Sequence, residues 1–221
     1  MNNAAAPLTI DVVSDVICPW CYLGKRRLEQ ALTMVPSVAV TINWRPFQLD
    51  PTTPPEGVDR RTYFERKFGS LAAVEPTHAR LTAIGRELGI DYRFADVGRT
   101  PNTIDAHRVL RWASEAGLGD AAAERLFRAH FTEGVFLGDH AELARLAGEI
   151  GLDPTDVAAR LATNRDRAAV EEEIEAAVRI GVTGVPCFTV DQRYAVMGAQ
   201  EPAVIAGAIS KALDARVTEN A

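Results

Sequence analysis

The chain is poor in cysteine. Three cysteines occur among its 221 residues, at Cys18, Cys21 and Cys187. So few cysteines in a chain of this length do not make a disulfide scaffold, and their chemistry is expected to be catalytic, redox-sensing or metal-binding. The apolar fraction of 47% is enough for a sizeable core without disulfides, in one large domain or two small ones.

Basic clusters and long apolar stretches are also missing. The formal net charge is -6 and no run of Lys and Arg occurs, which argues against a nucleic-acid partner because phosphate binding requires clustered positive charge. No stretch approaches the roughly 18 apolar residues of a membrane span, and residues 1–7 lack the features of a secretory signal. These absences predict a cytoplasmic protein without a membrane partner.

The N-terminal region has the pattern of a βαβ unit. Residues 8–13 are rich in β-branched side chains and predict a strand, and residues 38–47 predict a second one. Between them, apolar residues at helical spacing predict a helix over residues 19–35. A right-handed crossover makes the two strands parallel. The first two cysteines then lie at the turn between the first strand and the helix.

The middle of the chain has a helical pattern throughout. Apolar residues recur at helical spacing over residues 58–179, and Asp139 and Asp153 are predicted N-caps. The acidic run at residues 171–173 predicts a solvated helix face. Glycines close four of the predicted helices: Gly89, Gly117, Gly151 and Gly181.

The C-terminal region returns to strand patterns. Residues 187–190 and 194–197 predict a hairpin, and a final helix follows. The element order predicts an α/β fold that is split by an all-helical insertion. We therefore expect residues 1–57 and 180–221 to form one domain and residues 58–179 to form the inserted one.

The most informative motif is Cys18-Pro19-Trp20-Cys21. Two cysteines at this spacing at the start of a helix bring their sulfurs close enough to bridge. The unpaired amides and the positive dipole end of the helix favour a thiolate at Cys18, which is the expected nucleophile. Cys21 lies one turn further along and is expected to resolve the mixed disulfide that Cys18 forms. This exchange of two electrons requires no cofactor and no metal.

The two residues between the cysteines tune the pair. Pro19 suits the first turn of a helix, and Trp20 provides aromatic surface but no positive charge. A histidine in place of Trp20 would stabilise the thiolate more. We therefore predict a less oxidising disulfide than in relatives with Pro-His between the cysteines.

The same cysteine spacing also occurs in zinc sites and, by chance, among buried cysteines. A structural zinc site usually requires a second close pair of ligands. The remaining cysteine and histidines are scattered along the chain: His78, His107, His130, His140 and Cys187. The strand, turn and helix around the motif therefore favour redox chemistry over both alternatives.

A proline interrupts a strand pattern near the C-terminus. A cis Val185–Pro186 peptide would account for it by exposing the Val185 backbone to an extended substrate, and a trans proline at an edge strand is the alternative. Side chains alternate along a strand, so Cys187 is expected to face away from the dithiol. It would then pack as a small apolar residue instead of acting as a third redox sulfur.

These segments resemble the DsbA-like branch of the thioredoxin superfamily, and more closely its cytoplasmic FrnE-like oxidoreductases. The resemblance covers nearly the whole chain and is carried by five segments, at residues 14–24, 101–108, 131–134, 184–186 and 198–200. It implies a thioredoxin-like fold with an all-helical insertion domain. It also implies thiol–disulfide oxidoreductase activity on protein or small-molecule thiols and disulfides.

The resemblance also implies roles for individual residues. Cys18 would be the catalytic nucleophile, Cys21 the resolving thiol and Pro186 a cis proline opposite them. In similar proteins the segment that begins with Asn102 starts a helix beside the active-site cleft, so Asn102 and His107 are expected to line it. A buried histidine with its bonds satisfied is the alternative for His107. The other residues expected at the cleft are Pro19, Trp20 and Val185.

Two functions of other classes stay open. The glutathione-dependent 2-hydroxychromene-2-carboxylate isomerases and kappa-class glutathione transferases are similar in architecture, but they typically have serine in place of Cys18. Serine can hydrogen-bond a glutathione thiolate but cannot transfer electrons. The other function is that of a non-catalytic chaperone or binding module. Glutathione is a candidate redox partner or co-substrate, and a homodimer is compatible with the sequence.

Overall fold

The computed structural model describes residues 7–219, so the predictions that concern residues 1–6 and 220–221 fall outside the described residues. The chain begins with the predicted βαβ unit, which consists of β1 (Leu8–Ser14), α1 (Pro19–Met34) and β2 (Val40–Pro46). The two strands are parallel, in a register that runs from Leu8 beside Val40 to Ser14 beside Pro46. The pattern of β-branched and apolar residues predicted these elements to within a few residues.

Seven helices and a two-stranded ribbon follow within the described part of the chain. The ribbon pairs β3 (Val58–Asp59) with β4 (Arg99–Thr100) in antiparallel fashion. The helices are α2 (Arg60–Phe68), α3 (Glu75–Glu87), α4 (Ile104–Glu115), α5 (Gly119–Thr132), α6 (His140–Glu149), α7 (Pro154–Leu161) and α8 (Arg167–Arg179). A short 3-10 turn at Ala72–Val74 precedes α3. The sequence does not predict the ribbon, because its strands are only two residues long, nor α2, because charged residues interrupt its apolar pattern.

The C-terminal elements complete the sheet. They are β5 (Cys187–Val190), β6 (Tyr194–Met197) and α9 (Pro202–Glu219). Strand β5 is antiparallel to β1 and to β6, which gives a four-stranded sheet in the order β2-β1-β5-β6. The predicted hairpin and final helix are therefore confirmed, and β1 and β5 occupy the two central positions.

Local capping chemistry sets several helix ends. The Asp139 carboxylate accepts hydrogen bonds from the first amides of α6, and that of Asp153 does the same for α7. Both aspartates thereby satisfy amides that have no partner within the helix, as predicted. Gly181 follows α8 with a φ of 91°, a conformation that costs glycine little.

One large apolar cluster joins the sheet to the inserted helices. It contains β1 residues such as Ile10 together with Leu126 and Phe127 of α5. The Tyr22 ring of α1 stacks on Phe127 with a centroid distance of 5.3 Å. The division of the chain into two domains stays a prediction.

No helix among residues 7–219 has the length and apolar composition needed to cross a membrane.

A second, smaller apolar cluster lies on the other side of β5. It contains Val13, Phe47, Ala177, Val182 and Cys187. The neighbouring Phe188 belongs instead to the large cluster that includes both cysteines of the motif. Alternation along β5 therefore separates Cys187 from the dithiol, as the sequence predicts.

Candidate active-site cleft

The turn between β1 and α1 presents Cys18 at the start of a helix. Cys18 is the N-cap residue, with extended backbone angles, and Pro19 occupies the first helical position. The Cys18 amide donates to the Asp15 carbonyl at 2.9 Å, and the Cys21 amide donates to the Cys18 carbonyl at 3.0 Å. These bonds hold both cysteines at the start of α1, where the first amides lack the usual partner four residues back in the helix.

Both thiols are free and largely buried. The exposed fraction is 4% for Cys18 and 1% for Cys21. Burial raises the pKa of the Cys21 thiol well above its usual value, and the neighbouring Cys18 side chain raises it further. Interactions with the Ser14 side chain and the Asp15 backbone oppose this rise in pKa. Cys21 is therefore held as a neutral thiol behind Cys18.

The segment before β5 faces the Cys18 sulfur. The Val185–Pro186 peptide is cis. The Cys18 thiol donates to the Val185 carbonyl oxygen, with a distance of 3.7 Å from Sγ to O. Cys18, Val185 and Pro186 are thus brought together, although they lie on segments far apart in the chain.

Gly24 permits this close approach of α1 to Pro186. A Cβ atom at position 24 would lie 2.8 Å from Pro186 Cγ and 3.2 Å from Phe188 Cζ. Both distances are shorter than ordinary van der Waals contact between carbon atoms. Because Gly24 has no side chain, helix α1, which carries the dithiol, can lie close to Pro186 and β5.

A buried carboxylate fixes the loop before Cys18. The Asp15 side chain is fully buried, and its Oδ2 accepts from the Leu49 amide at 2.8 Å. Its Oδ1 accepts from the Ile17 amide at 3.5 Å and lies 3.5 Å from Nε2 of His107. In the sequence, Asp15 appears only as part of the segment that carries the resemblance, with no role of its own. Nothing near it in the chain indicates that its carboxylate will accept a hydrogen bond from the distant Leu49 amide.

An apolar cleft opens beside Cys18. Its volume is about 410 Å³. The floor is formed by the start of α1 with Gly184 and Val185, and the walls come from α2, α3 and the segment around Phe94. Aromatic side chains are prominent among the residues that line it, including Trp20, Tyr63, Phe64, Phe68, Phe94 and Phe131. A volume of this size falls in the usual range for small-molecule sites.

Two histidines in the cleft are neutral at pH 7. Burial lowers the pKa of His130 to about 4, against the opposing effects of the Val135 backbone and the Asp15 charge. Burial, helped by the nearby Arg60 charge, also lowers the pKa of His78 to about 4. The His78 ring stacks on Phe94 at a centroid distance of 4.1 Å. Both imidazoles therefore contribute aromatic surface to the cleft without positive charge.

Three of the five residues expected to line the cleft do so. Pro19, Trp20 and Val185 all lie at the cleft beside Cys18. The Pro19 carbonyl also accepts a hydrogen bond from the Tyr92 hydroxyl at 2.5 Å, which ties the active-site turn to the inserted region.

Asn102 and His107 do not line the cleft. The Asn102 amide donates to the Thr53 carbonyl at 2.7 Å, and its Oδ1 accepts from the Ile104 amide at 3.1 Å. His107 is buried, with Nε2 at 2.9 Å from the Phe47 carbonyl oxygen. The Asn102 amide and Nε2 of His107 hold backbone in place, whereas Nδ1 of His107 is buried and has no hydrogen-bond partner among the described residues. His107 is therefore buried, as the alternative expects, but its hydrogen bonds are only partly satisfied.

The residues missed by sequence reasoning come mainly from α2 and α3. Arg60, Phe64 and Phe68 of α2 and His78 of α3 all line the cleft. Their positions depend on how the insertion folds back over α1, which no local pattern encodes.

Within residues 7–219, no group of three or more His, Cys, Asp or Glu residues is placed to hold a metal ion.

Comparisons with known proteins identify the fold. A solved structure from Streptomyces coelicolor, described as a probable DsbA oxidoreductase, is 33% identical, with a TM-score of 0.87 over 94% of this chain and 90% of that one. A 2-hydroxychromene-2-carboxylate isomerase is 16% identical, with a TM-score of 0.71 over 96% and 99%. The cytosolic disulfide reductase DsbM from Pseudomonas aeruginosa is 19% identical, with a TM-score of 0.62 over 96% and 98%.

The last two likenesses are too distant in sequence to show more than the fold, which the isomerase and the reductase share. The family model of the DsbA-like thioredoxin domain matches residues 9–210. This match spans both strand regions and the inserted helices, and it confirms the predicted thioredoxin-like α/β fold. The chain belongs to the family of DsbA-like thioredoxin-domain proteins.

Proposed function

We propose that this protein is a thiol–disulfide oxidoreductase that works through Cys18 and Cys21. The observation that carries the proposal is the placement of Cys18 at the first turn of α1 and at the floor of an apolar cleft, with Cys21 buried behind it. A family that contains oxidoreductases supports the same activity.

The exchange begins at Cys18. As a thiolate, Cys18 attacks one sulfur of a substrate disulfide and releases the first substrate thiolate. The product is a mixed disulfide between Cys18 and the substrate. The Val185 carbonyl, 3.7 Å from Sγ in the reduced protein, lies where the backbone or amide of an incoming substrate can donate to it.

Cys21 completes the reaction. After losing its proton, it attacks Sγ of Cys18, and the bond between Cys18 and the substrate breaks. The second substrate thiolate leaves, and the protein keeps an intramolecular disulfide. The substrate disulfide has gained two electrons and the protein dithiol has lost two. Burial and the neighbouring Cys18 raise the pKa of Cys21, so in the reduced protein it is a neutral thiol and Cys18 reacts first.

Glutathione is the redox partner that we assign to the pair, with no other cofactor required. DsbM, which shares this fold, has also been solved with glutathione. In the cytoplasm, which is the location predicted from the sequence, the protein would encounter glutathione. Because the reaction is reversible, the potential of the pair against that of the glutathione pool sets the direction of electron flow.

Trapping of the mixed disulfide tests this proposal. After reaction with glutathione disulfide, mass spectrometry should find one glutathione on Cys18 in the Cys21→Ser variant and none in the Cys18→Ser variant. Cys187→Ser is the matched control and should form the intramolecular disulfide like the unaltered protein, because Cys187 is in the other apolar cluster. Equal labelling of the Cys18→Ser and Cys21→Ser variants would contradict the assignment of the nucleophile.

A further inference from the structure

The position of Cys18 limits the size of its substrate. Cys18 is 4% exposed, and a substrate reaches it through the cleft of about 410 Å³ that it lines. A disulfide on the surface of a folded protein is attached to bulky backbone on both sides. A small disulfide can enter a cleft of this size, and most of its surface would be buried there.

The walls of the cleft favour an aromatic body. Trp20 lies beside the dithiol, and Phe64, Phe68 and Phe94 form the facing side. Phe68 is 50% exposed, so part of its ring is free to contact a ligand in the cleft. Aromatic rings in offset or edge-on contact stabilise one another beyond the effect of buried area alone. A substrate with an aromatic ring next to its sulfur matches these walls.

The charge of the cleft is opposite to that of the whole chain. Asp and Glu number 30 against 24 Lys and Arg, yet no carboxylate side chain lines the described cleft, whereas Arg60 and Lys67 do. The Lys67 ammonium already donates to the Leu49 carbonyl and the Tyr63 hydroxyl, each at 3.0 Å. The two histidines are neutral and Lys67 keeps one donor, whereas the Arg60 guanidinium donates to no group among residues 7–219 and has all its donors available.

Arg60 has the features of a binding residue for an anion. Its guanidinium lies over the Phe64 ring at 5.3 Å, and no carboxylate among residues 7–219 forms an ion pair with it. Burial without such a partner lowers its pKa. A half-buried guanidinium of this kind gains two charge-assisted hydrogen bonds when a carboxylate binds side-on. The Arg80 guanidinium lies over the Trp20 ring at 5.6 Å and thus places a second positive charge beside one residue that lines the cleft.

We propose that the cleft selects small aromatic disulfides and thiols that carry a carboxylate or similar anionic group, with Arg60 binding the anion. The proposal rests on the thiol–disulfide exchange proposed above. The reduced protein would transfer two electrons to such a disulfide, forming the Cys18–Cys21 bond and breaking the S–S bond of the substrate. Two aromatic thiolates leave, and the two thiol protons pass to them or to the buffer. In the reverse direction, two aromatic thiols are oxidised.

Three disulfides that differ in one property each test this specificity. They are para-dithiodibenzoate, its neutral dimethyl ester, and dithiodipropionate, which is anionic but aliphatic. Single-turnover rates with the reduced protein are divided by the rates of the same disulfides with dithiothreitol, which corrects for intrinsic reactivity. We expect the corrected rate of dithiodibenzoate to exceed that of its ester by about tenfold or more, since a tenfold rate corresponds to one charge-assisted contact. It should also exceed that of dithiodipropionate, because the aliphatic disulfide cannot make the ring contacts.

Matched variants then assign the charge effect. Arg60→Gln should reduce the advantage of dithiodibenzoate over its ester to about twofold or less. Arg61→Gln, on the next and exposed residue of α2, should keep it. The rate of each variant with oxidised dithiothreitol, which is neutral and aliphatic, shows whether the fold and the dithiol are intact.

The outcomes separate the specificity from the activity. Equal corrected rates for the three disulfides, or a faster reaction with insulin than with dithiodibenzoate, would overturn the specificity and leave the exchange activity standing. Failure of the reduced protein to exchange with any disulfide would instead refute the proposed function. The comparison of disulfides uses the unaltered protein, so it decides the question even when Arg60→Gln does not fold.

Discussion

Replacing Gly24 by alanine tests how α1 packs against Pro186. A helix with glycine at an interior position is usually less stable than the same helix with alanine, by about 0.5–1 kcal/mol, so the substitution would normally stabilise the protein. At this position the new Cβ would lie 2.8 Å from Pro186 Cγ and 3.2 Å from Phe188 Cζ. The proline ring is fixed to the backbone, so it cannot rotate away as a flexible side chain could.

The two effects act in opposite directions, and overpacking is the larger. Added carbon atoms in a well-packed region cost about 1–3 kcal/mol, so Gly24→Ala should lower the free energy of unfolding by up to about 2 kcal/mol. Gly207 in α9 is the matched control, because a Cβ there would meet no atom within 4 Å. Gly207→Ala should raise the free energy of unfolding by about 0.5–1 kcal/mol.

Urea unfolding of the two variants measures this difference, which we expect to be about 1–3 kcal/mol. The rate of disulfide exchange should also fall in Gly24→Ala alone, because the displaced Pro186 moves Val185 relative to Cys18. Equal stabilisation by both substitutions would refute the close contact between α1 and Pro186.

Three further predictions follow from the site. Trp20→His should make the Cys18–Cys21 disulfide more oxidising in glutathione titrations, and the unaltered protein should be more reducing than the strong-oxidant value of about -120 mV. The pKa of His130 is lowered from 6.5 to about 4 by burial, so its contribution to stability is complete above pH 6.5 and is lost as the pH falls towards 4. The unfolding free energy of His130→Gln should therefore fall less over this interval, and a parallel fall would count against the assignment. Alkylation of the native reduced protein should label Cys187 more slowly than Cys18, because Cys187 is buried away from the cleft and burial raises its pKa. Equal labelling rates would show that Cys187 is accessible.

Much of the fold could be predicted because its signals are local. The βαβ unit follows from the change from β-branched residues to helical spacing at Cys18, and Asp139 and Asp153 cap the helices that they precede. The cysteine pair and the proline at position 186 were predicted to meet, and Cys18 Sγ lies 3.7 Å from the adjacent Val185 carbonyl.

The rest of the site depends on contacts between distant segments. Helix α2 is rich in charge, with Tyr63 as its buried residue, so its sequence does not indicate that Phe64 and Phe68 face a cleft. His107 lies in the first turn of α4 and Asn102 lies two residues before that helix, and each has a polar atom bonded to the backbone, at Phe47 and Thr53 respectively. Which side of a helix faces the dithiol follows from packing of the whole insertion, and a short motif does not encode it.

The redox equilibrium of Cys18 and Cys21 with glutathione tests directly whether the two cysteines form a redox-active pair. The protein is equilibrated with buffers of known ratios of glutathione to glutathione disulfide, its free thiols are alkylated, and the labelled cysteines are located by mass spectrometry. We predict an intramolecular disulfide between Cys18 and Cys21 that forms and disappears reversibly with the ratio, while Cys187 stays a thiol. A pair that never forms this disulfide under oxidising conditions would contradict this prediction.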